Sequence, residues 1–280
     1  MKISIFTTYT EPDKRRDPWK ESLRCYEDFA DEIIVTGQDW PTEFKWDLIG
    51  KTFQEGLDKS TGDWAIRMDI DYLFHEKYIE KLRSSLEKFD DFPAVVFPQY
   101  QFFTPERFQM KTRLCVALNK KNFPSIKLNG GGDLCLATLN NKLLPVNKLP
   151  YLNIPIYQYE SMFRTKDIIA KDRARFARAW YSYFSTYGTR GGSSEEEAFE
   201  AWFNEIKEKY KRHTNKIKLS NHPKYIIKKL ENLNKDQFGY NAFNLKLNTE
   251  HSFKNFLKGK KELYLDRSIY NINLKSSIFE

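Results

Sequence analysis

The pattern of apolar and polar positions predicts that the chain opens with a β-α-β unit. A short apolar run at residues 3–6 is followed by the polar loop EPDKRRDP, and apolar residues then recur at helical spacing over residues 18–30. A second apolar run covers residues 33–35 and is closed by Thr36 and Gly37. Because a strand, a helix and a second strand in this order favour a crossover connection, we expect two parallel strands joined by a right-handed crossover.

The same periodicities predict further elements along the chain. Helices are expected over residues 48–60, 75–89 and 166–184, and strands over residues 64–68, 94–97 and 113–118. Tyr100, Phe102 and Phe103 are expected to lie in an aromatic loop. Ser194 and Glu197 have the spacing of a capping box, which predicts a helix that starts there and continues to residue 210. Lys and Asn dominate from residue 211 onward, so we expect a small helical appendage.

The apolar run at residues 64–68 ends in two aspartates one residue apart, within the sequence WAIRMDIDYLFHE. Alternate residues of an extended segment point to the same side, so Asp69 and Asp71 are expected to face one ligand. Converging carboxylates repel each other unless a cation or hydrogen-bond donors lie between them, and a divalent ion that holds a diphosphate meets that need. The alternative is that Asp71 or a neighbour caps the helix that begins near His75.

Loops at the carboxyl ends of the first two strands are candidate nucleotide contacts, because ligands of parallel sheets sit beyond these ends. The candidates are Thr7, Thr8, Tyr9, Glu11, Thr36 and Asp39, with ordinary turns as the alternative. Residues 127–137 contain NGGGD, where the glycines either let the backbone approach a ligand or form a simple turn between strands. The glycine- and serine-rich segment 187–194 is either a mobile lid or a plain linker.

Composition indicates a globular, basic protein. The 280 residues are 40% hydrophobic and 16% aromatic with a formal net charge of +8, which excludes a disordered chain. The charge favours an anionic partner, with simple solubility as the alternative. The 3 cysteines lack CxxC spacing and the 4 histidines lack paired metal-ligand spacing, so a disulfide framework or zinc site is not expected. No run of about 18 apolar residues occurs. We therefore expect a cytoplasmic protein, with a peripheral membrane position as the alternative.

Residues 52–76, TFQEGLDKSTGDWAIRMDIDYLFHE, resemble a segment of family 2 glycosyltransferases. In that segment a helix ending in small-x-Gly-Asp is followed by an apolar strand and Asp-x-Asp. The β-α-β opening and the later PIYQY with its basic helix fit the same family, so the resemblance covers residues 1–185. It implies a glycosyltransferase A fold, in which a mostly parallel nucleotide-sugar-binding α/β sheet is flanked by helices. We therefore expect a catalytic domain over residues 1–185, followed over residues 186–280 by a lid loop and a helical C-terminal appendage.

The resemblance also implies roles for particular residues. Asp69 would approach the nucleotide ribose or the metal, and Asp71 would bind the Mn or Mg ion that bridges the diphosphate. An inverting enzyme needs a base to accept the proton of the acceptor hydroxyl. Asp133 of NGGGD matches the position of that base in relatives, and Glu160 and Asp167 are the alternatives.

Two departures from the family pattern affect the implied site. Phe53 and Gln54 stand where relatives often have Arg-Asn, so no donor contact is expected there. Gln158 of PIYQY stands where relatives usually have His. Its amide oxygen can bind a hard ion, although it is an oxygen ligand and not a nitrogen ligand such as the imidazole of His.

The resemblance implies a metal-dependent, inverting glycosyltransferase that moves a hexosyl or pentosyl group from a nucleoside diphosphate sugar to a hydroxyl acceptor. A surface polysaccharide or lipid-linked glycan is the first candidate acceptor, and hydroxylated bases of DNA are the alternative. Lys171, Arg175 and Arg178 share one face of the expected basic helix, where they could contact an extended anion. A nucleotidyltransferase is the alternative from another class, but the TTYTEPDKRR loop lacks the glycine that such an enzyme usually needs there.

Overall fold

The computed structural model describes residues 1–38, 40–112, 117–130, 135–265 and 275–278. The expected opening is present as β1 (Ile3–Thr8), α1 (Trp19–Phe29) and β2 (Glu32–Thr36), and the two strands pair in parallel. After α2 (Asp47–Lys59), β3 (Trp64–Arg67) pairs in parallel with the other edge of β1. This arrangement brings the carboxyl ends of β1 and β3 together at one edge of the sheet.

The other strands complete three sheets. They are β4 (Tyr72–Phe74), β5 (Ala94–Val95), β6 (Pro98–Thr104), β7 (Arg107–Thr112), β8 (Ala117–Asn119), β9 (Lys127–Leu128), β10 (Ala137–Leu139), β11 (Lys142–Leu143), β12 (Ile156–Gln158) and β13 (Asn215–Lys216). The sheet orders are β2-β1-β3-β8-β5, β13-β7-β6-β12-β4 and β11-β10-β9. Between these strands, pairing is parallel for β1 with β2, β1 with β3 and β6 with β12, and antiparallel elsewhere. The α/β class with flanking helices is confirmed, whereas the sheets are mixed, and the expected parallel pairing is limited to β1 with its two neighbours and to β6 with β12.

The expected aromatic loop is wrong, because its residues belong to β6. This strand forms an antiparallel hairpin with β7, and the rings of Tyr100 and Phe102 lie 4.3 and 5.4 Å from the ring of Phe108. The rings of a strand pair stabilise each other across the ladder, and this gain is not visible in the pattern of a single segment.

The aspartate pair lies in a turn, so the expectation that both residues alternate in an extended strand is wrong. Tyr72 N donates to Asp69 O at 2.8 Å, which closes a turn between β3 and β4. Strand β4 was not expected, because its 3 residues are too few to display a period of two.

The helix expected over residues 75–89 starts later than predicted. A single 3-10 turn at Glu76–Tyr78 precedes α3 (Ile79–Lys88), and the His75 side chain caps that turn by accepting the Lys77 backbone N–H at 3.4 Å. The residue that caps this turn is therefore the neighbour His75 and not Asp71.

Two long helices pack over the second sheet. Helix α4 (Lys166–Phe184) and helix α5 (Glu195–Tyr210) lie where the sequence predicts them. The capping box is confirmed, since Ser194 accepts the Glu197 backbone N–H and the Glu197 side chain accepts that of Ser194. Phe103 of β6 packs with both helices in one buried cluster. No helix within the described ranges is long and apolar enough to cross a membrane.

The segment after residue 185 is integrated into the core. It contains α6 (Ile227–Glu231), α7 (Phe238–Asn241), α8 (Leu245–Asn248) and α9 (Phe253–Leu265), and β13 joins the second sheet through β7. His222 is fully buried, with its ring nitrogens 2.8 Å from Tyr159 Oη and from Pro105 O. The division of the chain at residue 185 stays a prediction, and contacts such as these join its two parts.

Candidate active site

A pocket of about 430 Å³ opens beyond the carboxyl ends of β1 and β3. Thr8, Tyr9 and Thr10 line it at the end of β1, and residues 69–71 line it after β3. These two segments meet because the strands are adjacent and parallel. A further wall is formed by the end of β12 and by the helices α4 and α5. Its β12 part consists of residue 158 and the following residues 160 and 161. The pocket therefore lies where the first sheet meets the second.

The turn at residues 69–72 is held rigidly through its carbonyl groups. Tyr26 Oη of α1 lies 2.7 Å from the carbonyl oxygen of residue 69 and 2.9 Å from that of residue 72. Ser22 Oγ donates to the carbonyl of residue 70 at 2.6 Å, and Tyr159 N donates to that of residue 71 at 2.9 Å. A backbone fixed in this way holds the two aspartate side chains at defined positions in the pocket.

Negative charge is crowded around Asp71. Burial and the neighbouring charges of Asp69, Asp17 and Glu160 raise the pKa of Asp71 to about 8. Asp69 has a nearby cation, since Arg67 Nη2 lies 3.6 Å from its Oδ1. A carboxyl group with this pKa is largely protonated at neutral pH, and a cation brought into the site would favour its ionised form.

Gln158 contributes an amide oxygen to the same part of the pocket. It is paired with Tyr72 in the ladder between β12 and β4, and its Oε1 is buried with no hydrogen-bond partner among the described residues. Carboxylate and amide oxygens suit hard divalent ions, so Asp69, Asp71 and Gln158 fit Mg or Mn by donor type. Within the described ranges, no group of three or more His, Cys, Asp or Glu side chains is arranged to hold a metal ion. An ion bound here would complete its coordination with water and substrate oxygens.

A network of four charged side chains joins the loop after β1 to α4. Arg164 donates to Asp17 Oδ1 at 2.9 Å through Nε and at 2.6 Å through Nη2, and to Asp172 Oδ2 at 3.0 Å through Nη1. Arg15 lies 3.1 Å from Asp17 Oδ2 and 3.2 Å from Asp172 Oδ1. Burial alone would raise the pKa of Asp172, but the two arginines outweigh it and hold this pKa at about 2. All four residues line the pocket, so this part of its wall is locked by ion pairs.

Glu160 lies among cations on the wall formed by the second sheet and its helices. Arg173 Nη2 is 3.9 Å from Glu160 Oε1, and Gln101 Nε2 donates to Glu160 Oε2. Burial raises the pKa of Glu160, but the charges of Arg173, Lys111 and Lys209 outweigh that effect and hold the pKa below its usual value. Glu160 is therefore ionised at neutral pH and can accept a hydrogen bond from a hydroxyl group.

Aromatic rings give the pocket flat apolar surfaces beside these charges. Tyr9, Trp40, Phe53 and Phe176 line it, and the Arg67 guanidinium lies 3.9 Å from the centre of the Phe53 ring. Rings and stacked guanidinium groups are suitable partners for a nucleotide base. Phe53, where the sequence departs from the family pattern, is thus a pocket residue that supports an arginine.

The pocket brings together many of the residues that the sequence singles out. Thr8, Tyr9, Asp69, Asp71 and Gln158 line it. The alternative base Glu160 lines it as well.

Other expected site residues lie elsewhere. Thr7 is buried within β1, and Thr36 Oγ1 donates to Thr52 O at 3.1 Å, so neither lines the pocket. Glu11 is exposed and paired with Lys14, and Asp167 is exposed in the first turn of α4. The expected contact of Thr7, Thr36 and Glu11 with a ligand in this pocket is not supported by these positions. The remaining two candidates, Asp39 and the proposed base Asp133, lie outside the described residues.

Several charged residues that line the pocket were not predicted from the sequence, among them Arg15, Asp17, Arg67 and Asp172. Arg67 carried a signal, because a lone cation within a buried apolar run implies a buried partner. Its Nη1 donates to Cys135 O at 3.2 Å. Arg15 and Asp17 are in the EPDKRRDP loop, whose charges looked solvated until α4 supplied their partners.

Two of the three residues on the basic face expected on α4 are used for packing. Arg178 pairs with Glu43 at 3.0 Å through Nε, and Arg175 Nη2 donates to Pro41 O at 2.8 Å. These contacts fix the loop before α2 against α4. Neither arginine lines the pocket, nor does Lys171 or any residue of the segment 187–194.

No family model and no curated protein matches the chain. Among solved structures, the chain is similar to the crystal structure of S. aureus TarS 1-349, with a TM-score of 0.36 and 10% identity over 98% of this chain and 94% of that one. The structure of TarS 1-349 in complex with UDP has a TM-score of 0.34 and 9% identity, over 98% and 94% of the two chains. The complex with UDP-GlcNAc has a TM-score of 0.32 and 10% identity, over 98% of this chain and 95% of that one. Such scores are too low to transfer an activity or a residue role.

Proposed function

We propose that the chain is a metal-dependent, inverting glycosyltransferase that moves a sugar from a nucleoside diphosphate sugar to a hydroxyl acceptor. The observation that carries the proposal is the rigid turn that holds Asp69 and Asp71 in a pocket containing arginines and aromatic rings. Paired carboxylates that repel each other need a positive counterpart. The divalent ion that holds the diphosphate of the donor provides one.

The pocket offers a distinct contact for each part of such a donor. The ring of Tyr9 suits the base, and Thr8 Oγ1 is buried without a hydrogen-bond partner among the described residues. Asp69 is suited to the ribose or the metal, and Asp71 with Gln158 would hold the metal. A bound Mg or Mn ion supplies Lewis-acid stabilisation of the leaving diphosphate.

The acceptor hydroxyl must lose a proton as the glycosidic bond forms, and two residues are candidates to accept it. Asp133 is the first, by its position in NGGGD. Glu160 is the second, because it lines the pocket and is ionised. Inversion follows if one of these groups activates the hydroxyl on the face of the sugar opposite the diphosphate.

The alternatives receive less support from the geometry. An exposed stripe of cations is the footprint of duplex DNA binding, and Arg175 and Arg178 are instead engaged with residues 41 and 43. A nucleotidyltransferase would need phosphate-binding glycines after β1, and the residues there are Tyr9, Thr10 and Glu11.

The test is thermal unfolding of the protein with a panel of nucleoside diphosphate sugars, each with Mn and with EDTA. A ligand that binds the native state raises stability by about 2.7 kcal/mol at 100 times its dissociation constant. We expect one nucleotide class to raise the midpoint only when Mn is present. A panel without any metal-dependent shift would contradict the proposal.

A further inference from the structure

One wall of the pocket gathers three cations from three different elements. Lys111 of β7, Arg173 of α4 and Lys209 of α5 all line the pocket, and Glu160 is the carboxylate among them. Arg173 is 3.9 Å from Glu160, whereas Lys209 also pairs at 2.6 Å with Glu205, whose side chain is 58% exposed. Among the described residues of this wall that line the pocket, three cations therefore accompany one carboxylate.

Polar atoms of the same wall are buried without partners. Ser161 is 6% exposed, and its hydroxyl has no hydrogen-bond partner among the described residues although it lines the pocket. Its φ of 56° lies in the left-handed region, which is unfavourable for serine and persists where the surroundings impose it. Arg173 Nε is likewise buried without a partner within the described ranges. Unsatisfied groups of this kind are expected where a polar ligand completes the hydrogen bonds.

The wall is separate from the groups assigned to the donor. Most of the donor residues follow β1 and β3 of the first sheet, with Gln158 at the end of β12 as the exception, whereas Lys111, Arg173 and Lys209 belong to the second sheet and the helices over it. A hydroxyl group of Ser161 suits a hydroxylated ligand, and three cations suit a phosphate or carboxylate. Duplex DNA does not fit, because the cations lie within a pocket and not along an exposed stripe.

We infer that the anion wall, defined as Lys111, Glu160, Ser161, Arg173 and Lys209, binds an acceptor that carries a phosphate or carboxylate group beside its hydroxyls. This inference rests on the proposed function, since it assigns the wall to the second substrate of that reaction. The anionic group lies on the lysines and Arg173, and an acceptor hydroxyl is thereby placed near the carboxyl group of Glu160.

The test measures the binding of small anions by isothermal titration to protein saturated with Mg and with the nucleoside diphosphate that stabilises it most. The probes are glycerol 3-phosphate, glucuronate and neutral glycerol, which separate a phosphate from a carboxylate and from hydroxyl groups alone. The double variant Lys111→Gln/Lys209→Gln is compared with the matched control Lys171→Gln/Lys207→Gln, whose lysines lie on α4 and α5 outside the pocket lining. The single variant Lys111→Gln serves if the double variant is not folded.

We expect at least one anion to bind wild type and control equally, and the Lys111→Gln/Lys209→Gln protein at least about 10-fold more weakly, as for lost hydrogen bonds to a charged group. Glycerol should bind none of them. Equal anion affinity in both double variants, or binding of neither anion to wild type, overturns the inference.

A donor titration on the same proteins separates this inference from the proposed function. Metal-dependent donor binding without any lysine-dependent anion binding leaves the glycosyltransferase proposal standing and rejects the anionic acceptor. Lysine-dependent anion binding without donor binding rejects the assignment of the wall to an acceptor, together with the proposed function.

Discussion

At the scale of the residue, the defining feature of the site is a carboxyl group whose ionised form is destabilised by its surroundings. Asp71 lies beside Asp69, Asp17 and Glu160, and burial with these charges raises its pKa to about 8. Hydrogen bonds from α1 and from Tyr159 hold the turn that carries Asp71. The backbone therefore cannot shift to move the side chain away from these charges. A group kept under such repulsion is typical of a functional site whose counter-charge arrives with the ligand.

The first prediction is that Asp71→Asn stabilises the metal-free protein at alkaline pH. The folded pKa of Asp71 is raised above its unfolded value, so its favourable contribution is complete below about pH 4 and is lost as the pH rises through about 8. Asparagine does not titrate, so the rise in the pKa of Asp71 to about 8 should make the variant more stable than wild type by about 5 kcal/mol at pH 9 and by less at pH 5. Urea unfolding in EDTA from pH 5 to 9 measures this difference. The exposed Glu11→Gln is the control, and parallel curves for Asp71→Asn and wild type would refute the electrostatic account.

The second prediction concerns the base. We expect Asp133→Asn to lower turnover by about 10²-fold with little change in donor affinity, as for loss of a general base. Steady-state rates and donor titrations measure the two effects, and the exposed Asp167→Asn should behave as wild type. Normal turnover in Asp133→Asn, with loss in Glu160→Gln, would transfer the role to Glu160.

At the scale of the element, buried ion pairs join the loop after β1 to helix α4. Arg164 and Arg15 each bridge Asp17 and Asp172, and the two aspartates are 6% and 7% exposed. Removing one member of a buried ion pair leaves its partner uncompensated, which costs more than loss of an exposed pair. These charges therefore hold one wall of the pocket in shape.

The third prediction is that Arg164→Gln lowers the free energy of unfolding by about 3 kcal/mol at neutral pH. The lowered pKa of Asp172 gives wild type a contribution that is present above about pH 4 and lost as the pH falls through about 2. The variant should lack much of this acid dependence. The matched control is Arg178→Gln, whose pair with Glu43 is partly exposed and should contribute less than about 1 kcal/mol. Urea unfolding that gives similar values for the two variants would show that the network does not hold the wall.

At the scale of the whole molecule, the sequence predicts what depends on local pattern. The β-α-β opening, the bounds of α4 and the capping box of Ser194 and Glu197 follow from periodicity and local hydrogen bonding. Strand β4 and the hairpin of β6 with β7 were missed because their stability comes from partner strands. The same limit applies to the site: Asp69 and Asp71 were visible as a motif, whereas Arg15 and Asp172, 157 positions apart in the printed sequence, meet only in the folded chain.

The central claim is that the paired aspartates bind a nucleoside diphosphate sugar through a divalent ion. The most direct test is isothermal titration of the donor that stabilises the protein best, with Mn and with EDTA, into wild type, Asp71→Asn and the exposed control Asp167→Asn. We expect wild type and control to bind only with Mn, and Asp71→Asn to bind at least about 10-fold more weakly in Mn. Equal donor affinity of wild type with Mn and with EDTA, or wild-type affinity of Asp71→Asn in Mn, would contradict the claim.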